Sequence, residues 1–257
     1  MIEINQLKGK YMLNKNEKNI IAIAILAILI ICLIILLVLN AKNLFDREKP
    51  VNTDKYDSVV LKETKDAGES YLDKMYFVGD STTYHFFKGG IDKSRILMPE
   101  SLTLMLDTSI CEITVGNTGL TIPESIKKNK AKIVIITLGV NGADSFSEVK
   151  YKTYYNKLIN KIKELSPDTK IILQSAFPVT DEYSNRDNGI SNSSIDNLNQ
   201  WLKEIACDQE LPYLDTQSIL KNENGDMKEE YSEGDGVHMN PLAYEAILEY
   251  IRTHAIE

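Results

Sequence analysis

Short apolar runs alternate with longer amphipathic segments from residue 71 to the end of the chain. This alternation is typical of parallel strands joined by crossover helices. The apolar runs predict five strands, at residues 75–78, 112–115, 132–138, 170–174 and 212–214. Residues 133–136 are all apolar, as expected for a central strand that is buried on both faces.

Apolar positions three to four residues apart predict long helices between these strands. The two clearest patterns are Tyr151, Tyr155, Leu158, Ile159 and Ile162, and Ile195, Leu198, Trp201, Leu202 and Ile205. A final helix is predicted to begin at Asn240 and Pro241, because an N-cap residue is followed there by proline at the first helical position. The elements together predict a three-layer α/β/α domain with a five-stranded parallel sheet over residues 71–257.

An unbroken apolar run without charge or proline covers residues 20–39. A helix of that length spans about 30 Å, which is the thickness of the hydrocarbon core of a bilayer. A buried core helix usually keeps one polar face, and a cleaved signal peptide has a shorter apolar region of about 7 to 15 residues. We therefore predict an uncleaved transmembrane helix, with cleavage as the alternative.

The charges beside this run predict its orientation. Residues 1–19 carry four lysines and two glutamates, whereas acidic and basic residues are mixed after residue 40. Positive flanks favour the cytoplasmic side. We therefore predict a cytoplasmic tail over residues 1–19, a polar stalk over residues 40–70, and a domain on the outside of the cell membrane.

Composition narrows the class of protein. The chain has 257 residues, 43% hydrophobic and 26% charged, which suits one globular domain with an appendage. Its net charge of -8 has the wrong sign for neutralising phosphates, so nucleic acid is not an expected partner. Cys32 falls inside the apolar run, which leaves Cys111 and Cys207 as a pair whose oxidation the sequence does not decide.

Ligands of open parallel sheets bind beyond the carboxyl ends of the strands, so the loops there are candidates for chemistry. Ser81 follows the first predicted strand in the sequence Gly79-Asp80-Ser81, where a strand passes into a helix. Its hydroxyl is a candidate nucleophile. The alternative is that Asp80 or Ser81 only caps the helix.

Two further loops could stabilise negative charge on a substrate oxygen. Asn141 follows the third predicted strand between Gly139 and Gly142, and its amide could donate to an oxyanion. An ordinary Asn-Gly turn is the alternative. The loop of residues 116–119, after the second predicted strand, could present a backbone N–H to the same oxygen.

An acid and a histidine lie three residues apart just before the final helix. Asp235 could hold one imidazole nitrogen of His238 while the other nitrogen faces a serine. The chain has two other histidines. His85, one helical turn beyond Ser81, is expected to be a partly packed histidine or a local site residue, and His254 is expected at the surface of the last helix.

The chain resembles the SGNH, or GDSL-type, hydrolases in four sequence blocks. The blocks are Gly79-Asp80-Ser81, Gly119, Gly139-Val140-Asn141 and Asp235-Gly236-Val237-His238. The resemblance covers about residues 71–257 and is to membrane-anchored or secreted GDSL-like acylhydrolases of Gram-positive bacteria. The chain departs from the family pattern at Thr82, where the family name implies leucine, and at Gly142, where aspartate is usual.

The resemblance implies a flavodoxin-like α/β/α fold and serine ester hydrolysis. It implies that Ser81 attacks the ester, that His238 moves the proton, and that Asp235 orients the imidazole. It also implies an oxyanion hole formed by Ser81, Gly119 and Asn141.

No metal or other cofactor is expected for this chemistry. The acidic tract at residues 222–226 lacks the spacing of a calcium-binding EF-hand loop and indicates a solvated turn. The expected partners are the membrane and an ester, either an acylated cell-wall carbohydrate or a lipid. A predicted polar loop over residues 179–194 favours carbohydrate. Acyl transfer and a non-catalytic surface module are the alternatives, and the sequence does not predict the oligomeric state.

Overall fold

The computed structural model describes residues 16, 19–21, 23–31, 33–34, 56–98, 107, 109–186 and 190–256. The chain divides into two compact units, Met1–Asn52 and Thr53–Glu257. In the first unit the described residues are helical, and their large apolar side chains are exposed. No helix among the described residues is both long and apolar enough to cross a bilayer. Much of the predicted tail, of the predicted membrane span at residues 20–39 and of the predicted stalk lies outside the described residues.

A parallel sheet forms the centre of the second unit. Its strands are β1 (Met75–Gly79), β2 (Ile96–Leu97), β3 (Ile133–Thr137), β4 (Lys170–Gln174) and β5 (Tyr213–Leu214). Their spatial order is β2-β1-β3-β4-β5, and every neighbouring pair is parallel. Gly79 is in register with Thr137, so the carboxyl ends of β1 and β3 lie side by side.

Helices connect and cover these strands. They are α1 (Glu69–Leu72), α2 (Ser81–Tyr84), α3 (Ile122–Asn129), α4 (Glu148–Leu165), α5 (Asp181–Ser184), α6 (Asn192–Asp208), α7 (Gln217–Leu220) and α8 (Pro241–Thr253). The Asn240 side chain caps α8 by accepting from the backbone N–H of Ala243 at 3.3 Å. The predicted start of this helix is therefore confirmed.

Alternate residues of β3 face opposite hydrophobic cores. Val134 and Ile136 belong to one core, which includes Tyr155 of α4 and Leu198 of α6. The other core contains Ile133, Ile135 and side chains of α8 such as Tyr244 and Ile247. Because a strand directs successive side chains to opposite faces, both faces of the sheet are covered by helices. The predicted five-stranded parallel sheet with flanking helices is confirmed.

The second predicted strand, residues 112–115, is wrong. The sheet instead uses β2, which pairs with Phe77 and Val78 of β1. Residues 112–115 are outside the sheet: Thr114 makes an isolated antiparallel bridge to Thr121, and Val115 is buried. A two-residue strand is too short to produce a hydrophobic period, whereas the irregular segment has apolar positions because it packs on the core.

The folded unit also begins earlier than the predicted boundary at residue 71. Val60 forms a parallel bridge with Tyr213, and the Leu61 N–H donates to the Tyr213 carbonyl at 2.8 Å. The end of the predicted stalk therefore packs along the β5 edge of the sheet. Cys111 and Cys207 are both free thiols.

Candidate active site

Ser81 lies at the junction of β1 and α2, and its neighbours explain this placement. A Cβ atom on Gly79 would lie 2.5 Å from the backbone oxygen of Thr137, so the close approach of β1 and β3 requires glycine there. Asp80 caps α2, because its Oδ1 accepts from the backbone N–H of Thr82 at 3.0 Å and from the Thr82 hydroxyl at 2.7 Å. Asp80 thus supplies the cap and leaves the Ser81 hydroxyl available for another contact.

That contact is His238. The Ser81 Oγ lies 3.0 Å from Nε2 of His238, and Nδ1 of the same ring lies 2.6 Å from Oδ2 of Asp235. The other carboxylate oxygen, Oδ1, accepts the backbone N–H groups of Val237 at 2.9 Å and His238 at 2.8 Å. One oxygen of Asp235 therefore shapes the turn while the other holds the imidazole. The three side chains form a continuous line from acid to hydroxyl.

The charge state of Asp235 suits this arrangement. Partial burial pushes the pKa of Asp235 upward, but the hydrogen bonds from the His238 side chain and from two backbone N–H groups outweigh it. The pKa of Asp235 consequently lies below its usual value, and the carboxylate is negative at neutral pH. A negative carboxylate on Nδ1 favours the tautomer that leaves Nε2 free to accept a proton from Ser81.

The turn that carries Asp235 and His238 rests on the segment after β4. Gly236 has a φ of +88°, and a Cβ there would lie 2.7 Å from Cβ of Tyr183 and 2.8 Å from Oγ1 of Thr180. The backbone N–H of Thr180 donates to the Gly236 carbonyl at 2.9 Å. The predicted polar loop of residues 179–194 is therefore partly helical, since it contains α5 and the start of α6. Thr180 and Tyr183 therefore pack against the turn that carries Asp235 and His238.

His85 is a neighbour of the site, and the sequence did not decide between a packing role and a site role for it. Its ring lies edge to face with the ring of His238, with centroids 5.0 Å apart and an interplanar angle of 70°. Nδ1 of His85 is buried, and within the described part of the chain it has no hydrogen-bond partner. Burial lowers the pKa of His85, and the charges of Lys88 and His238 lower it further, against the opposite effect of Glu233 and Asp235. His85 is thus both partly packed and adjacent to the site.

The third histidine lies elsewhere. His254 ends α8, where it is half-buried and stacked on Tyr250 with centroids 3.7 Å apart. The expectation of a surface position is therefore only partly met, because the Tyr250 ring covers one face of the imidazole. Nδ1 of His254 lies within hydrogen-bond distance of the Thr253 hydroxyl and the Tyr250 carbonyl.

Asn141 and Gly119 lie on loops at the same edge of the sheet as Ser81. Asn141 is half-buried in a turn that follows β3 and is closed by a 3.2 Å bond from Ala143 N–H to the Val140 carbonyl. Gly119 is exposed, has a φ of +66° and ends the short helical turn Gly116–Thr118 beside β2. The strands beside these loops, β2 and β3, lie on either side of β1, the strand that precedes Ser81.

The family comparison matches most of this domain. The model of the GDSL-like lipase/acylhydrolase family matches residues 77–246, a range that includes all five of the site residues predicted from the sequence. No curated protein is a significant match to the chain.

Solved structures are similar to the chain at low sequence identity. A protein from Streptococcus pneumonia, provisionally described as a platelet activating factor, is 18% identical with a TM-score of 0.50, covering 84% of this chain and 96% of its own. A lipase/acylhydrolase from Enterococcus faecalis is 14% identical with a TM-score of 0.46, covering 69% and 93%. An acetyl-xylooligosaccharide esterase from Geobacillus is 16% identical with a TM-score of 0.45, covering 71% and 94%.

Proposed function

The chain belongs to the GDSL-like lipase/acylhydrolase family and is a serine ester hydrolase, and we propose that Ser81, His238 and Asp235 form its catalytic triad. The hydrogen-bonded line from Asp235 through His238 to Ser81 is the observation that supports this proposal. Ser81 Oγ attacks the ester carbonyl while Nε2 of His238 takes the hydroxyl proton. The same nitrogen then returns the proton to the departing alcohol, and water attacks the acyl-enzyme in a second, equivalent step.

The proposed oxyanion hole uses the backbone N–H groups of Ser81 and Gly119 and the side-chain amide of Asn141. The N–H of Ser81 is at the first position of α2, where no carbonyl of the helix can accept it. The loops of Gly119 and Asn141 approach from the strands on either side of β1. Three such donors suit the carbonyl oxygen of the ester, which becomes negative when the tetrahedral intermediate forms.

The proposed substrate is an O-acyl or O-acetyl carbohydrate. The alcohol of the ester must lie on the His238 side of the site, because His238 protonates it. Asp181 and Glu182 of α5 are exposed near the turn that carries His238, and such polar surroundings suit a sugar better than a lipid tail. Acyl transfer is the alternative, in which a second sugar hydroxyl replaces water on the acyl-enzyme.

The proposed location is the outer face of the cell membrane. The apolar run at residues 20–39 and the excess of lysine before it support this placement. A protease added to intact cells should cut the domain as readily as it does after lysis. Protection of the domain in intact cells would contradict the proposal.

The proposed reaction is tested with the full chain in detergent. Purified protein should hydrolyse p-nitrophenyl acetate and release acetate from an O-acetylated cell-wall glycan, while Ser81→Ala should do neither. Adding a sugar acceptor separates the two reactions, because transfer would lower acetate release and yield an acylated acceptor. Equal rates for the wild type and Ser81→Ala would remove Ser81 from the proposal.

A further inference from the structure

A cavity of about 620 Å³ lies one helical turn from Ser81. Tyr84, the last residue of α2, lines it, as do Gly116 and Thr118 of the loop that contains Gly119. Met98, the residue after β2, lines it from the sheet. The lining also includes Ser94, just before β2, and Asn129, at the end of α3, so the cavity extends along the β2 edge of the sheet.

The position of His238 decides which half of an ester would face this cavity. The turn that carries His238 is held by Thr180, which follows β4, and β4 and β2 lie on opposite sides of β1. The alcohol must lie towards His238 to receive its proton. The acyl group of an ester on Ser81 therefore extends the other way, towards β2 and the cavity.

Five of the residues that line the cavity have non-aromatic apolar side chains. The side chains concerned are Ile96, Leu97, Met98, Val115 and Leu120. The first four are buried, each 7% exposed or less. A two-carbon acetyl group would fill only a small part of this space, whereas a longer alkyl chain would cover the apolar walls.

Among the described residues that line the cavity, the charged ones are Lys93 and Lys128, and none is acidic. This is notable on a chain with a net charge of -8. Within the described part of the chain neither lysine forms an ion pair, and Nζ of Lys93 lies 4.2 Å from the centroid of Phe87 and 5.4 Å from that of Tyr84. Two ammonium groups beside these apolar side chains would attract an anion.

Ser125 gives a second, independent indication of a ligand. It lines the same cavity from α3 and is 3% exposed, and its Oγ has no hydrogen-bond partner among the residues that the structure describes. An unpaired buried hydroxyl is unfavourable, so native structures normally satisfy it. An oxygen of a bound ligand would supply the missing acceptor.

We propose that this cavity is the acyl site and that it takes an acyl group longer than acetyl with a terminal carboxylate. The inference rests on the proposed function and specifies its substrate. Ser81 Oγ bonds to the carbonyl carbon, the carbon–oxygen bond to the alcohol breaks, and His238 passes the proton to that alcohol. Water then cleaves the acyl-enzyme and releases a dicarboxylate, whose distal carboxylate binds Lys93 and Lys128.

The test compares three p-nitrophenyl esters on the full chain: acetate, hexanoate and adipate. Hexanoyl and adipoyl groups have the same number of carbons, so their comparison isolates the terminal charge. We expect kcat/KM for adipate to exceed that for hexanoate by about tenfold, mainly through KM, as for a charge-assisted hydrogen bond. Lys93→Met and Lys128→Met should each reduce this ratio towards one.

Lys127→Met is the matched control, because Lys127 is an exposed neighbour on α3 that does not line the cavity. It should keep the wild-type ratio. If acetate is hydrolysed but adipate is no better than hexanoate, the acyl site is wrong and the proposed function stands. If Lys127→Met lowers the ratio as much as the cavity variants do, general surface charge explains the preference and the site is also wrong. If none of the three esters is cleaved, the proposed function fails and the acyl site with it.

Discussion

The imidazole rings of His85 and His238 pack edge to face, with their centroids 5.0 Å apart. Lys88, three residues after His85, and Glu233, five residues before His238, form an ion pair of 2.5 Å. The N–H of Glu233 donates to the His238 carbonyl at 2.9 Å. The turn that carries His238 is thus tied to the segment that carries His85. Protonated His85 would place a positive charge beside His238, and the lowered pKa of His85 favours its neutral form.

This relationship predicts a pH-dependent effect of His85→Phe. Burial lowers the pKa of His85, so the unfolded chain binds a proton at a higher pH than the folded one. Wild-type stability is then full above about pH 6.5 and falls as the pH drops from there towards the folded-state pKa. Phenylalanine keeps a ring but binds no proton. The Tm of the variant minus that of the wild type should therefore rise between about pH 7.5 and pH 5, and a constant difference would contradict this.

Ser81→Ala should abolish most activity without unfolding the protein. Removing Oγ takes away the group that lies 3.0 Å from Nε2 of His238, and the acyl-enzyme cannot form. Loss of a nucleophile costs about 10³ to 10⁶ in kcat. The Tm should change little, because Asp80 provides the helix cap. Ser193→Ala, at an exposed position of α6, is the control and should keep full activity.

Asp80 should be replaceable by asparagine but not by alanine. Burial raises the pKa of Asp80, although the hydrogen bonds from Thr82 lower it. Keeping a negative charge on this buried carboxylate at neutral pH therefore costs folding free energy. Asparagine keeps the acceptor oxygen without the charge. Urea unfolding should show Asp80→Asn at least as stable as wild type and Asp80→Ala less stable by about 1 kcal/mol, as for a lost N-cap. Equal loss in both variants would show that the charge itself stabilises the fold.

Asn141→Ala tests the proposed oxyanion hole. Loss of one side-chain donor of this kind lowers kcat by about 10² to 10³. The turn should survive, because Gly142 supplies its positive φ and Ala143 closes it on Val140. Steady-state kinetics should therefore show the loss in kcat at an unchanged Tm. A change confined to KM would assign Asn141 to substrate binding instead.

The sequence predicted the parts of the fold that have a local signal. Residues 170–174 form β4 as predicted, and Asn240 caps α8, because an apolar run and a cap residue are properties of adjacent positions. The strand β2 was missed because two residues carry no period. The early start of the domain at Val60 was missed because it depends on a long-range pairing with Tyr213.

The candidate site also has parts with a local sequence signal and parts without one. Ser81, Asp235 and His238 were chosen from short motifs, but only the tertiary fold places Ser81 against the distant turn. The support of Gly236 by Thr180 and Tyr183 was missed, although a glycine between Asp235 and His238 indicates a tight turn. The contact of His85 with His238 had no signal beyond its spacing from Ser81, because side-chain packing across elements is not encoded in any local pattern.

Asp235→Asn separates the role of the acid from that of the turn. Asparagine can still accept the N–H groups of Val237 and His238 through Oδ1, so the turn should persist. It places an amide or a neutral oxygen against Nδ1 of His238. Neither group favours the tautomer whose Nε2 accepts the proton of Ser81, so we expect a loss of about 10⁴ in kcat at neutral pH.

The lowered pKa of Asp235 means that its contribution to stability is present above about pH 3.9 and is lost as the pH falls through the folded-state value. The Tm difference between wild type and Asp235→Asn should accordingly shrink in acid, and a difference that grows there would contradict the assigned charge.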